Sequence, residues 1–379
     1  MVRFVHFGDT HLGRRNFKLE ERERDFEEAF KQVIDFAIRK KVDFVIHSGD
    51  IFDTGRPRYR VVNFLVSQLL RLKREGIPFF TIPGSHDVAP DGTLLSTLHK
   101  VGLLKNLGEE EYFEKRGEEI ILRGESYKGV FIAGIPGRRA NISKFYEKLR
   151  PELKGDFRIL IFHHIISDIS GKFSDIEKEV LPRGFDYYAG GHWHSRFETS
   201  FNGKPVVYPG STEVWDVREV GEKGFFYVED GRREWIPLKT RKFVELVVNC
   251  DDLTPSEVSE KVKEQMKPND GAILLIRLKG RLKGGSKAEI NRKGIMDAAS
   301  EKGYLYANIY TSELLNPEEA QVSLENKSLQ EIEKEYLEKK GYEGKKLEIG
   351  MKLIELFGKK LTASEIEVNK KKLFGMLGL

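Results

Sequence analysis

Three times in the first ninety residues a short apolar strand runs into a polar loop holding Asp and His, and amphipathic helices separate the repeats. RFVHF leads into GDTHLG, VDFVIHS into GDIFD, and IPFFTI into PGSHD. Each strand is β-branched or aromatic and is bounded by Gly or Pro. Between them Phe26, Phe30, Val33 and Ala37, and then Val62, Leu65, Val66 and Leu69, recur at helical spacing, with Gly76 as a stop for the second helix. Strand, helix, strand requires parallel pairing through right-handed crossovers. Open sheets of this kind bind ligands beyond the carboxyl ends of their strands, where these polar loops fall.

After residue 105 the text changes to EEIILRG, GVFIAGI, FRILIFHHI, FDYYAGGHWHS and KPVVYPGS, which reads as a second layer of sheet. The HWH segment reads as a strand with both histidines on one face and Trp193 on the other. From about residue 241 strand, helix, strand, helix, strand follows, a small α+β domain over 241–312. The tail, 313–379, is mostly helix and charge. There Leu347, Met351, Ile354, Phe357 and Leu361 form one apolar stripe, and Ser364 with Glu367 makes a capping box for a last helix carrying Ile366, Leu373, Phe374 and Leu377. The expected fold class is α/β: a two-layer β-sandwich flanked by helices over 1–240, then the small domain and the tail.

The 379 residues are ample for a sizeable core, and a net charge of +4 neither requires nor excludes a polyanion partner. Cys250 is the single cysteine, so no intrachain disulfide forms, and it reads as a small buried hydrophobe. The start MVRFVHFGDT lacks the features of a signal peptide, and no apolar run has the ~18–20 residues of a membrane span, so the expectation is a cytoplasmic protein.

Of nine histidines, His11, His86, His163, His164, His192 and His194 sit in four clusters at strand ends. His6 and His47 read as strand packing and His99 as a helix or interface residue. Asp9 and Asp50 each follow a glycine at a strand end, where the backbone can approach a ligand closely. Any one cluster alone reads equally as a turn. Together, Asp and His without Cys suit borderline or hard divalent ions such as manganese, in numbers sufficient for two. Two metals ~3.5–4 Å apart are a recurring device for displacement at phosphorus.

The ordered set GDTH, GDIF, GSHD, FHH and GHWH resembles the calcineurin-like metallophosphoesterases, whose pattern is D-x-H, G-D, G-N-H-(D/E), H and G-H-x-H. DTHLG, GDIFD followed by Arg-Pro, YYAGGHWHSRFE and VVYPGSTEVWD resemble more closely the meiotic-recombination-eleven family of DNA repair nucleases. The likeness covers roughly 1–240 by motif and the remainder by layout. It implies a manganese-dependent DNA nuclease with two Mn2+ ions, exonuclease on duplex ends and endonuclease on single strands, acting in double-strand-break processing. It also implies a homodimer, a small domain that caps the nuclease, and C-terminal helices that dock on a coiled-coil zinc-hook ATPase.

By that resemblance Asp9, His11, Asp50 and His194 hold one metal, Asp50 bridges to the other, and His163 and His192 complete the second. The family has Asn where this chain has Ser85, a shorter and weaker ligand that reaches the ion directly or through a water, or leaves the second site empty. His86 stabilises or protonates the leaving oxygen, and Asp87 orients His86. Asp53 stands where several relatives carry a second active-site His, and His164 where they commonly have Gln; both read as groups behind the ligands.

Arg14, Arg15, Lys18, Arg56, Arg58, Arg60, Arg138, Arg139 and Arg196 crowd the loops around the site and suit sequence-independent contact with a phosphate backbone. The helices near 59–75 and 93–104 match the family's dimer region, so Val62, Leu65, Leu69, Leu94 and Leu98 read as interface or core. Two other readings compete: an architectural DNA-bridging subunit with catalysis weakened at Ser85, and a phosphatase on the same fold.

Overall fold

The computed structural model describes residues 2–137, 141–318 and 329–357. The described residues fall into two compact units that divide between Arg241 and Lys242. In the first, Arg3–Phe7 (β1), Phe44–His47 (β2) and Phe79–Thr81 (β3) pair in parallel, with Glu20–Lys40 (α1) and Tyr59–Arg74 (α2) between them. These strands centre a six-stranded sheet in the order Arg232–Pro237, Gly224–Glu229, β1, β2, β3, Lys105–Asn106. Alternation along each strand gives the sheet two apolar faces. Val5, Phe7, Val45 and Phe79 pack with Phe30, Val33, Ala37, Leu65 and Leu69 of the helices. Phe4, Phe44, Ile46 and Phe80 point the other way, into the sandwich.

The opposing sheet has the order Phe197–Phe201, Lys204–Tyr208, Tyr187–Gly190, Phe157–Phe162, Val130–Ile135, Gly124–Tyr127. Ile132, Ile159, Ile161, Ala189 and Val207 close the interior against the first sheet. Each buried Ile or Val here contributes ~1.5–3 kcal/mol by leaving water. Its outer face, with Phe131, Leu160, Phe162 and Tyr208, packs on Tyr146 of the helix Ile142–Lys148. The expected two-layer sandwich flanked by helices is thus present.

Three local readings are corrected, and a fourth, open between core and interface, is decided. Glu119–Leu122, expected in the second layer, joins a separate three-stranded sheet with Phe113–Arg116 and Leu149–Pro151. The HWH segment is not a strand: the strand stops at Gly190, and the positive φ of His192, 80°, breaks the extended backbone. On α2 the buried stripe runs through Val61, Leu65, Leu69 and Leu72, and Val62 is only half-buried. Leu65, Leu69 and Leu98 are core rather than interface, and Leu94 packs partly against the same core.

The second unit carries parallel strands Phe243–Asn249, Ile273–Arg281 and Tyr306–Leu315 in that order. Helices Pro255–Gln265 and Arg292–Glu301 cover them around Val248, Cys250, Val262, Ile276 and Ile295. A capping box of Thr254 and Glu257 opens the first helix. The third strand runs to Leu315, past the expected boundary, because its pairing continues through Arg281 to Leu315. Helices Leu329–Lys339 and Gly344–Phe357 follow and pack on each other, with Gly350 so close beneath Leu337 that a Cβ there would come 2.9 Å from its Cδ1. Leu347, Met351 and Ile354 are half-buried. Leu361, Ser364, Ile366, Glu367, Leu373, Phe374 and Leu377 lie outside the described residues, as do Arg138 and Arg139.

Candidate active site

The loops after β1, β2 and β3 meet those after Phe157–Phe162 and Tyr187–Gly190 at one edge of the sandwich. Asp9, His11, Asp50 and His192 stand there with φ of 50°, 39°, 55° and 80°. A left-handed backbone costs a residue with a Cβ on the order of 1–3 kcal/mol, and such strain concentrates at functional sites. Two glycines permit the crowding: a Cβ on Gly84 would lie 2.2 Å from Asp50 Oδ1, and one on Gly191 would lie 2.1 Å from the Ser48 carbonyl oxygen.

Two ligand sets result, Asp9 with His11 and His194, and Asp50 with His163 and His192, each with donor atoms within 4.8 Å of one another. In the first, the Nε2 atoms of His11 and His194 face each other at 3.1 Å, and the His192 amide donates to both Asp9 oxygens at 3.0 and 3.1 Å. His194 Nδ1 donates to Glu219, which leaves Nε2 as the atom available to a metal. In the second set His163 Nδ1 donates to the Ser48 carbonyl at 2.7 Å, turning Nε2 to Asp50 Oδ2 at 3.1 Å. Ser85 Oγ donates to that same oxygen at 3.3 Å, and the His86 amide donates to Asp50 Oδ1 at 2.7 Å.

The electrostatics match a cation site. Burial, then the Asp50 carboxylate, raise Asp9 to about 6 against the pull of His163 and His194. Burial alone would lower His163, but Asp50, Asp9 and the Ser48 carbonyl together outweigh it and raise the imidazole to about 10. Burial alone would raise Asp50, yet His163 and then His11 hold it well below the usual carboxylate range. Burial, with His163 beside it, takes His192 down to about 3. A divalent ion would replace the proton shared by Asp50 and His163, since ligands bind metal deprotonated. Carboxylate oxygens and imidazoles with fixed tautomers, without thiolate, therefore fit two hard or borderline divalent ions. Asp50 groups with the second set, but its charge also acts on Asp9 and His11.

Ser85, His86, Gly137, Ile142, His163, His164, Asp175 and His192 line the cleft over the second set. His86 donates Nδ1–H to the Asp53 carbonyl at 2.9 Å. Asp87 does not touch this ring, contrary to expectation. Its carboxylate accepts the amides of Ile51, Phe52 and Gly84, because this turn buries three N–H groups that need an acceptor. His164 is a buried part of the cleft wall, with Nδ1 3.0 Å from the Tyr146 hydroxyl. His6 and His47 are buried strand residues, as expected.

Most of the loop cations are paired. Arg58, Arg60 and Arg15 converge on Glu23, Arg56 pairs with Asp91 at 3.3 Å, and Arg196 bonds Glu198 while lying over Phe226 and Trp235. These pairs are surface contacts, with Arg56, Arg58, Arg60 and Arg196 at least half exposed. Arg14 lies over the Trp215 ring at 4.3 Å and 3.7 Å from Asp53, and Lys18 is exposed.

This edge of the sandwich falls within the span that matches known proteins. Residues 2–196 match the model of the calcineurin-like phosphoesterase family. The DNA double-strand break repair protein Mre11 of Sulfolobus acidocaldarius is 30% identical, over 74% of this chain and 75% of that protein. The chain belongs to the Mre11 family of calcineurin-like phosphoesterases. The Mre11 protein of Archaeoglobus fulgidus is 29% identical across 89% of this chain and 80% of its own length. That of Saccharolobus solfataricus is 35% identical over 58% of this chain, and the match spans 57% of that Mre11 protein.

Sequence reading missed Glu219, Trp215 and Lys223. Lys223, only 4% exposed, donates Nζ–H to the His194 carbonyl at 3.1 Å and to Ser211 Oγ at 3.0 Å, and burial lowers its pKa. The Trp215 ring lies 5.5, 5.9 and 5.4 Å from those of His11, His86 and His194. WD closes a motif quoted above, but nothing in its spacing marks an indole against three histidines.

Proposed function

We propose that this chain is a manganese-dependent nuclease that hydrolyses DNA phosphodiesters during double-strand-break processing, with exonuclease action on duplex ends and endonuclease action on single strands. One observation carries the reading: two sets of Asp and His donors lie side by side, with His86 at the mouth of the same cleft. The Mre11 family supplies the substrate class. Asp9, His11 and His194 would hold one ion and Asp50, His163 and His192 the other, with Asp50 bridging. When bound, two such ions supply charge stabilisation at phosphate and an activated water.

The chain's own groups do the rest. The Asp53 carbonyl fixes Nδ1–H of His86, so Nε2 is the atom that takes up a proton and gives it to the leaving oxygen. Arg14 and exposed Lys18, together with the other loop cations, meet the phosphate backbone in this proposal. In this proposal the small domain caps the nuclease, and the helical tail docks on a coiled-coil zinc-hook ATPase. A homodimer contact on α2 would use outward groups such as Tyr59, which is 89% exposed, because Leu65 and Leu69 are core. The proposed compartment is the cytoplasm.

The architectural reading draws on Ser85, whose hydroxyl is already committed to Asp50. Incubation with linear duplex DNA and manganese, beside para-nitrophenyl phosphate, separates the readings. Degradation of DNA supports the nuclease. Ester turnover without DNA cleavage indicates a phosphatase, and DNA binding without turnover an architectural subunit.

A further inference from the structure

His11 is fully buried, and its Nδ1 has no hydrogen-bond partner among the described residues. Its Nε2 faces His194 Nε2 at 3.1 Å, and His194 has given its Nδ1–H to Glu219. In a pair of neutral rings the proton between the two Nε2 atoms therefore belongs to His11, which leaves His11 Nδ1 as a bare lone pair. Metal ligation through Nε2 reverses this, moving the His11 proton to Nδ1, where a buried N–H without an acceptor costs ~1–3 kcal/mol. The group facing that atom is the Asp53 carboxylate, with Oδ1 at 3.7 Å, a few tenths of an ångström beyond a hydrogen bond.

Asp53 is itself held. Trp215 Nε1–H donates to Oδ1 at 2.9 Å, and the Arg14 guanidinium lies 3.7 Å from Oδ2. The Asn16 side-chain amide donates to the Trp215 carbonyl at 2.7 Å and anchors that loop. The main-chain carbonyl of Asp53 accepts His86 Nδ1–H. His11, Asp53 and His86 form a third close set, with donor atoms within 4.8 Å of one another. This set shares His11 with the first ligand set, so it serves that site and is not a third ion site.

We propose that Asp53 is a positioning residue for two histidines at once. Its carboxylate accepts Nδ1–H from His11 in the metal-binding tautomer, as Glu219 does for His194, and its carbonyl holds His86 with Nε2 free. The inference deepens the dimetal reading above and rests on it for the ions. Removal of an acceptor behind a ligating histidine typically costs ~10–100-fold in metal affinity.

The test uses the full chain with 15N-labelled histidine and zinc as a diamagnetic probe, followed by manganese titration calorimetry. Zinc-loaded parent protein should show His11 protonated at Nδ1, with the proton shifted downfield by a hydrogen bond. Asp53→Ala should lose that downfield shift and weaken one manganese site by ~10–100-fold, leaving the other unchanged. Asp53→Asn keeps an oxygen acceptor and should restore most of the affinity. A His11 ring protonated at Nε2 in the zinc-loaded parent overturns the proposal, as do parental manganese affinities in Asp53→Ala. Should Asp53→Ala fail to fold, the parent spectrum and Asp53→Asn still decide. None of these readouts involves DNA, so a chain that binds ions in this way but cleaves no DNA would keep the positioning role and lose the nuclease reading.

Discussion

His194 gives its Nδ1–H to the Glu219 carboxylate, at 2.9 Å from Oε1 and 3.0 Å from Oε2, and so turns Nε2 towards Asp9 and His11. Burial alone would lower the His194 pKa, but Glu219 and Asp9 together outweigh it and raise it. Glu219→Ala should therefore leave the fold intact and weaken one of two manganese sites by ~10–100-fold in calorimetry. Unchanged affinity at both sites would mean that Glu219 is only a surface partner.

His86 differs in kind, because it lines the cleft but belongs to neither of the two main ligand sets. His86→Ser should keep both ions and lose cleavage by on the order of 100-fold or more, the scale for loss of a general acid or base. Manganese content measured beside initial rates on duplex DNA checks this. Loss of an ion together with activity would make His86 a ligand.

The chemistry of this edge was legible in the sequence because each ligand sits within a few residues of a strand end, and parallel topology sends strand ends to one place. Asp9, Asp50 and His163 needed no more than that. What escaped were contacts between segments far apart in the chain. Glu219 meets His194 across 25 residues, and Trp215 meets Asp53 across 162. Asp87 was misread because a carboxylate beside a histidine in sequence need not face it when the turn between them buries amides. The EIIL strand reads alike whichever sheet receives it.

Ser85 Oγ and His163 Nε2 address the same Asp50 oxygen, at 3.3 and 3.1 Å. Ser85→Asn would put an amide oxygen beside the second set, so half-maximal cleavage should require less manganese than in the parent. Calorimetry should resolve one tight and one weak site in the parent and two tight sites in the variant. An equal metal requirement would show that the serine already completes that site.

His6 lies inside the sandwich, 2.9 Å from the Tyr187 hydroxyl, and burial lowers its pKa to about 3. Between that value and the unfolded value near ~6.5 the unfolded chain binds a proton that the folded chain refuses. The stability tied to His6 is thus complete above pH ~6.5 and is lost as pH falls towards ~3, by at most about 1.4 kcal/mol per pH unit. Urea unfolding of the parent and His6→Phe at several pH values should show a shallower decline in the variant. Parallel curves would mean that His6 does not titrate on unfolding.

In the dimetal proposal Asp50 holds two ions, and DNA is hydrolysed beside it. The most direct measurement counts manganese per chain by calorimetry and follows cleavage of linear duplex DNA, in the parent and in Asp50→Ala. Two ions and cleavage are expected in the parent, and in a folded Asp50→Ala at least one ion lost and cleavage abolished. Near-parental cleavage by a folded, metal-loaded Asp50→Ala would contradict the proposal.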